Sequence, residues 1–307
     1  MKTLILSFLK AYYGILSAIL PNLAAKKAFM LFQKTKKMKL KPKEEKLYDK
    51  ARHFQIPTSN LDEDVHCYHL KNEEVPPNGK TAVLVHGWDS NAGSLMGIAE
   101  KLLSEGFEIY ALDLPAHGKS KLIHCNLYIS SLALKALLEF VADPKQTIYL
   151  ISHSFGSAVV GYALWKTDAH VDKVVMLTTP NKMTTIFREF QQFIGLGEKS
   201  YQKMLDITKN IIGEPLENVE VAKKLALANI PQLSIIHDKF DKVVPFQNAK
   251  DVVSAIPNAK LITYEKIGHY RMLWNEEVIN QVAAILSNKQ KELKIEKSEV
   301  QQKVKIA

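Results

Sequence analysis

The sequence lacks the features that mark disulfide-rich and metal-binding proteins. It contains only two cysteines, Cys67 and Cys125, in 307 residues. Their number and spacing fit neither a disulfide framework nor a zinc site. It also has no internal repeat and no low-complexity linker. We therefore expect free thiols in a reducing compartment and no metal.

The positive charge is unevenly distributed. The formal net charge is +9, and lysines crowd the stretch between Lys26 and Lys46 and again between Lys289 and Lys305. Basic runs are typical of proteins that bind nucleic acid or anionic lipid. No nucleic-acid-binding motif accompanies either run, so we do not expect a nucleic-acid partner. The tail, residues 288–307, also carries glutamates and is interpreted as a solvated, charged helix.

The N-terminal segment lacks the uninterrupted apolar run of a membrane span or a secretory signal peptide. Residues 3–20 are mostly apolar, but Lys10 interrupts them, at a cost of about 2.5–3.5 kcal/mol for a cation at a bilayer centre. The polar and small positions recur every three or four residues, which places them on one helical face: Thr3, Ser7, Lys10, Gly14, Ser17 and Pro21. Such a helix suits a membrane interface better than a span. Two interpretations stay open, both for a cytoplasmic protein: peripheral contact with the anionic inner membrane surface, or docking on the protein's own body.

The rest of the chain alternates short apolar runs with helical patterns. Predicted strands are 66–70, 81–85, 108–112, 147–151, 173–177, 233–236 and 260–264; predicted helices are 92–104, 127–141, 157–166, 247–254 and 276–287. This alternation predicts an α/β fold, a doubly wound, mostly parallel sheet with helices on both faces. The alternation of strands and helices is interrupted only at residues 181–230, where the pattern is helical and contains no strand. An insertion of this kind predicts a helical lid over the sheet edge where ligands bind. Phe187, Phe190 and Phe193 share one face there, pointing to the core, to a pocket or to both. We expect an N-terminal segment 1–45, a main domain 46–287 and the tail.

The most informative stretch is Ile148–Gly156, where an apolar strand ends and a helical pattern begins. Ser154 occupies the sharp turn between them, with small residues two positions before and after, Ser152 and Gly156. Such a turn lifts a hydroxyl above the sheet, where a base can reach it. The pattern is S-x-S-x-G, one residue away from G-x-S-x-G. Ser154 is therefore the candidate nucleophile.

A serine nucleophile needs a base and a carboxylate that orients the base. Both follow later strands, in the order Ser, acid, His. His269 follows the strand 260–264, and Asp241 follows the strand 233–236. Asp238 competes for the acid position, but Asp241 directly precedes Val-Val-Pro at the expected start of the next helix, so we favour Asp241.

Acyl transfer also needs donors for the developing oxyanion. The backbone N–H of Phe155, next to the serine, is one candidate, and the N–H of Trp88, in the loop after the strand 81–85, is the other. Gly87 permits the unusual backbone of that loop. His86 is interpreted as a support of the loop rather than as a base.

Five short motifs occur in one order: H-G-W at 86–88, D-L-P-A-H-G-K-S at 113–120, S-H-S-F-G at 152–156, D-K-V-V-P at 241–245 and G-H-Y at 268–270. On these motifs, residues 65–287 resemble the α/β-hydrolase fold serine hydrolases of the lid-bearing esterase, lipase and monoacylglycerol-lipase-like group. Ala116 and Ser152 depart from the family's glycines. The resemblance implies a Ser154–Asp241–His269 triad and no cofactor.

The expected function is hydrolysis of a carboxylic ester, an apolar acyl ester by preference, through an acyl-enzyme intermediate. The same triad serves thioesterases, C–C bond hydrolases and peptidases, and a catalytically silent binding protein at the membrane surface is the alternative from another class. The expected partner is a small-molecule acyl substrate. Nothing in the sequence sets the oligomeric state.

Overall fold

The computed structural model describes residues 2–58, 61–143, 146–167 and 169–287, and the tail predicted at 288–307 lies outside them. Eight strands form one sheet in the order β1-β2-β4-β3-β5-β6-β7-β8. The β1–β2 and β2–β4 pairs are antiparallel and the other five are parallel. The strands are β1 (Arg52–Ile56), β2 (Val65–Leu70), β3 (Lys80–Val85), β4 (Glu108–Leu112), β5 (Thr147–His153), β6 (Lys173–Leu177), β7 (Gln232–Asp238) and β8 (Lys260–Tyr264).

Helices cover both faces of the sheet, because alternate strand residues point in opposite directions. On β3, Val83 and Val85 pack with the larger group of helices, whereas Leu84 packs with α3, α4 and α11. The predicted fold class is confirmed. The helices are α1 (Lys2–Ile19), α2 (Pro21–Phe32), α3 (Pro42–Lys50), α4 (Met96–Leu103), α5 (Leu127–Val141), α6 (Phe155–Trp165), α7 (Met183–Ile194), α8 (Glu198–Ile212), α9 (Val221–Leu227), α10 (Gln247–Ala255) and α11 (Glu276–Leu286), with 3₁₀ turns at Ala92–Leu95, Leu216–Asn218 and Arg271–Trp274.

Three elements had no sequence prediction: β1, α2 and α3. Only Ile56 of β1 is buried, so this edge strand carries no apolar run that pattern reading could detect. The predicted helix 92–104 is a 3₁₀ turn followed by α4.

The N-terminal segment is more structured than the single amphipathic helix expected there. Pro21 ends α1, since proline cannot continue a helix, and occupies the first turn of α2. Helix α2 buries Ala24, Ala25, Ala28 and Phe29 in the core and packs against α8. It therefore belongs to the same body as the sheet. In the described part of the chain, no helix is long and apolar enough to cross a membrane.

Helix α1 docks on the body through its small and polar face. Ser17 is buried, and its hydroxyl accepts a hydrogen bond of 3.0 Å from the N–H of Gly197. Gly195, which ends α7 with a positive φ of 72°, has no room for a side chain because the backbone of Lys10 lies against it. Helix α1 therefore crosses the junction of α7 and α8. Of the two interpretations that the sequence left open, the structure shows this face of α1 docked on the body, because small residues let the backbones approach closely.

Helices α7, α8 and α9 form the insertion between β6 and β7. Phe32 of α2 contacts two phenylalanines of α7, with ring centroids 4.4 Å from Phe187 and 5.0 Å from Phe190. The phenylalanine stripe of α7 thus faces α2 across the edge of the sheet.

Candidate active site

Ser154 lies in the turn between β5 and α6 with a strained backbone, φ 52° and ψ −122°. A non-glycine residue in this region costs on the order of 1–3 kcal/mol and persists only where the surroundings impose it. Here the Ser154 N–H donates to the carbonyl of Leu177, at the end of the neighbouring strand β6, at 2.9 Å. The turn therefore holds the serine at the carboxyl edge of the parallel strands.

Small residues flank this turn for a steric reason. A Cβ on Gly156 would lie 2.5 Å from the carbonyl oxygens of both Val85 and His86, so only glycine fits. Ser152 has more room: its hydroxyl is buried and forms a hydrogen bond of 3.0 Å with the hydroxyl of Ser157. The turn accommodates this serine by giving its hydroxyl a partner.

Asp241 and His269 are joined by a hydrogen bond from Nδ1 of the imidazole to Oδ2 of the carboxylate, at 2.7 Å. Both are buried. Burial alone would raise the pKa of Asp241, but the bond from His269 and the N–H groups of Val243 and Val244 outweigh it and lower that pKa. The carboxylate therefore stays ionised and fixes the tautomer with the proton on Nδ1, which leaves Nε2 as a proton acceptor.

Asp238 binds backbone instead of the imidazole. Its carboxylate accepts N–H groups from its own turn at Phe240, at 2.8 Å, and from the loop after β8 at Lys266 and Gly268, at 3.2 and 2.5 Å. It ties the β7 turn to the loop that carries His269. Of the two aspartates weighed in the sequence, Asp241 contacts the imidazole and Asp238 contacts backbone.

The loop after β3 lies directly against the serine turn. A Cβ on Gly87 would be 3.2 Å from Cβ of Ser154, and the rings of Trp88 and Phe155 meet edge-on with centroids 5.0 Å apart. Within residues 2–58, 61–143, 146–167 and 169–287, the N–H groups of Trp88 and Phe155 donate to no protein acceptor. Both N–H groups are thus free to bind an oxyanion beside Ser154.

Two neutral histidines brace that loop. His86 donates from Nδ1 to the carbonyl of Gly87 at 2.7 Å and accepts the N–H of Leu114 at Nε2 at 3.0 Å. His117 accepts the N–H of Asp89 at Nε2, at 3.1 Å. Burial lowers the pKa of each to about 4, so both are uncharged at neutral pH. Both hydrogen bonds of His86 are made to backbone groups, at Gly87 and Leu114.

His153 is a site residue that sequence reasoning missed. Its Nε2 donates to the carbonyl of His269 at 3.1 Å, and the two rings lie 4.8 Å apart. Burial, with a smaller effect of the His269 ring, lowers the pKa of His153 to about 3. The residue beside the candidate nucleophile therefore holds the loop of the candidate base. The sequence offered one signal for this role: His153 occupies the first x of the S-x-S-x-G motif, directly before Ser154.

A cavity of about 640 Å³ opens above Ser154 and Phe155. Its walls are mostly apolar and come from α2, α7 and α8, including Phe32, Phe187 and Phe190. The shape and lining suit an apolar ligand.

The described residues contain no group of three histidine, cysteine or acidic side chains placed to hold a metal ion. Cys67 and Cys125 are both buried free thiols. Burial raises the pKa of each, that of Cys125 to about 12, so neither is a reactive thiolate at neutral pH.

Known proteins resemble this chain over most of its length. The profile of the family described as alpha/beta hydrolase fold matches residues 81–234. The AB hydrolase superfamily protein YisY of Bacillus subtilis is 22% identical, covering 69% of this chain and 92% of its own. The pimeloyl-[acyl-carrier protein] methyl ester esterase of Vibrio atlanticus is 23% identical, covering 64% and 89%. The structure of the Pyrococcus furiosus esterase PF2001 superposes with a TM-score of 0.62 at 20% identity, covering 83% of this chain and 97% of its own, which is a likeness of fold.

Proposed function

The chain belongs to the α/β-hydrolase fold family, and we propose that it is a serine hydrolase of the carboxylesterase or lipase-like class. The observation that carries the proposal is the buried Asp241–His269 hydrogen bond, at the sheet edge where Ser154 occupies its strained turn. Acyl transfer needs a carboxylate, an imidazole of fixed tautomer and a serine that a substrate can reach, here at the floor of a cavity.

In the proposed mechanism, Nε2 of His269 takes the proton of the Ser154 hydroxyl as Ser154 attacks the ester carbonyl. The N–H groups of Trp88 and Phe155 stabilise the tetrahedral oxyanion. His269 then protonates the leaving alcohol, and water, activated by the same imidazole, hydrolyses the acyl-enzyme. Asp241 orients His269 and stabilises the imidazolium.

The substrate we propose is an ester with an apolar acyl chain. The supporting observation is the phenylalanine-rich cavity above Ser154. Helices α7–α9 would act as its lid, as in the monoacylglycerol-lipase-like group. The Vibrio atlanticus relative is named for a methyl ester of an acyl chain, which agrees with the ester class. Thioesters, C–C bonds and peptides are the alternatives for the same triad.

We place this activity in the cytoplasm, with peripheral contact at the inner membrane surface. Lys26 and Lys27 are exposed on α2, and neither has a carboxylate within ion-pair distance among the described residues. Lysines near an anionic surface contribute about 1 kcal/mol each.

The test is hydrolysis of p-nitrophenyl esters from acetate to palmitate by the wild type and by Ser154→Ala. We expect the variant to lose about a thousandfold or more in kcat/KM. Ser104→Ala, at an exposed serine after α4, is the matched control. A fluorophosphonate should label the wild type and Ser104→Ala but not Ser154→Ala, because only an activated serine reacts.

Activity that survives in a folded Ser154→Ala protein would contradict the mechanism. Labelling of Ser154 without turnover of any ester would direct the assay to thioesters, amides and C–C bonds. Absence of both labelling and turnover would favour a silent binding protein.

A further inference from the structure

Helix α1 presents an apolar face to solvent. Its large side chains at one side of the helix are 45–69% exposed, and they recur at the three- and four-residue spacing of one helical stripe: Leu4, Ile5, Phe8, Tyr12, Ile15 and Ile19. Contiguous exposed apolar surface of this kind is uncommon on monomeric proteins and marks an interaction surface. The opposite face of α1 is already occupied by the body of the protein through Ser17 and Gly197.

The charge around this face indicates what covers it. The first 43 residues contain ten lysines and no aspartate or glutamate, whereas the whole chain has a net charge of +9. The rest of the chain is therefore close to neutral. Lys26 and Lys27, on α2 directly after α1, are exposed. An apolar helix face flanked by lysines is complementary to an anionic bilayer, in which the apolar side chains enter the acyl boundary and the lysines meet headgroups.

The position of α1 connects this surface to the cavity. Phe193, on the last turn of α7, lines the cavity and is 56% exposed. Two residues later, Gly195 lies against the backbone of Lys10. Helix α1 therefore runs beside the rim of the cavity.

We propose that the exposed face of α1 is a docking surface for anionic membranes, and that it sets the cavity at the bilayer so that the ester substrate is drawn from the lipid phase. The substrate class rests on the proposed hydrolase function, whereas the docking surface does not. Insertion of the face removes several large side chains from water, each worth on the order of 1.5–3 kcal/mol when fully buried.

The test is sedimentation of the full chain with vesicles of phosphatidylcholine and phosphatidylglycerol, compared with vesicles of phosphatidylcholine alone. We expect the wild type to bind the anionic vesicles and Phe8→Asp/Ile15→Asp to bind at least about tenfold more weakly. Lys26→Glu/Lys27→Glu should lose about fivefold per lysine on anionic vesicles. Phe140→Asp, at a 52% exposed aromatic on α5 near the start of β5 and so at the opposite sheet edge, should bind as the wild type does.

Turnover of a soluble p-nitrophenyl ester, measured in parallel, separates the two proposals. Vesicle binding without ester turnover would leave the docking surface standing and contradict the proposed ester substrate. Ester turnover without vesicle binding, or equal binding by Phe8→Asp/Ile15→Asp, would overturn the docking surface. Self-association that this double variant abolishes, in a chain that binds no vesicles, would assign the face to a second copy and also overturn it.

Discussion

Acidification from pH 6 to pH 5 should lower the free energy of unfolding by about 3.5 kcal/mol through three buried histidines at the site. Burial lowers the pKa of His86 and His117 to about 4 and that of His153 to about 3. The structure explains the low values. Nε2 of His86 and of His117 already accepts a backbone N–H, so a second proton would face a donor. Among the described residues, Nδ1 of His153 is buried without a partner that could stabilise a charge.

The magnitude follows from the difference between the folded and unfolded pKa values. In the unfolded chain each histidine titrates near its ordinary pKa of about 6.5. Between that value and the folded pKa the unfolded state binds more protons, so stability is complete above about pH 6.5 and is lost as the pH falls. Relative to its value at high pH, the free energy of unfolding is lower by about 0.8 kcal/mol per histidine at pH 6 and by about 2 kcal/mol at pH 5. His237, whose pKa burial also lowers, acts in the same direction.

The assay is urea unfolding at pH 7, 6 and 5, followed by tryptophan fluorescence and circular dichroism. His117→Gln is the matched variant, because its amide oxygen can still accept the N–H of Asp89 while the titrating group is gone. Between pH 6 and pH 5 the free energy of unfolding of this variant should fall by only about 2.3 kcal/mol. A wild-type loss below about 1 kcal/mol, or an equal loss in His117→Gln, would show that these histidines do not carry the pH dependence of stability.

Three further predictions concern the turns around the site. Gly156→Ala should lower the free energy of unfolding by about 2–3 kcal/mol in urea titrations, because its Cβ would meet the His86 carbonyl oxygen 2.5 Å away; a neutral result would contradict the steric account. Lys266→Gly should raise it by about 0.5–1 kcal/mol, since the exposed Lys266 has a φ of 61°; a lower melting temperature would count against it. Asp238→Asn should reduce kcat roughly 10- to 100-fold with little change in KM, because the loop of Gly268 loses its carboxylate anchor; an unchanged kcat would show that Asp238 does not position this loop.

Local chemistry made the serine turn predictable. The backbone at Ser154 and the lack of space at Gly156 depend on residues close in sequence and on neighbouring strands of a parallel sheet. The choice between Asp238 and Asp241 depends on which carboxylate meets His269 across two loops, 28 residues away for Asp241. The sequence favoured Asp241 from its place before Val-Val-Pro, whereas the structure shows the contact with His269 directly.

For the N-terminal segment, the sequence predicted the helix but not which of its faces contacts the rest of the protein. Periodicity identified the stripe that contains Lys10, Gly14 and Ser17, but amphipathicity does not reveal which face another element covers. In the structure, Gly14 of α1 lies near Gly195 at the end of α7. The small side chains of α1 therefore face the body, and the large apolar ones face outward. The 1–45 boundary rested on composition, which does not report that Phe29 of α2 is buried in the core.

The contact of Phe32 with Phe187 and Phe190 means that truncation at residue 46 would not yield a smaller working enzyme. One wall of the cavity would leave with α2, and the aromatic rings of α7 would be exposed to water. The lining of the cavity is thus encoded jointly by two stretches of the gene more than 150 codons apart. Transplanting either segment alone into a related hydrolase should therefore fail to transfer the shape of the cavity.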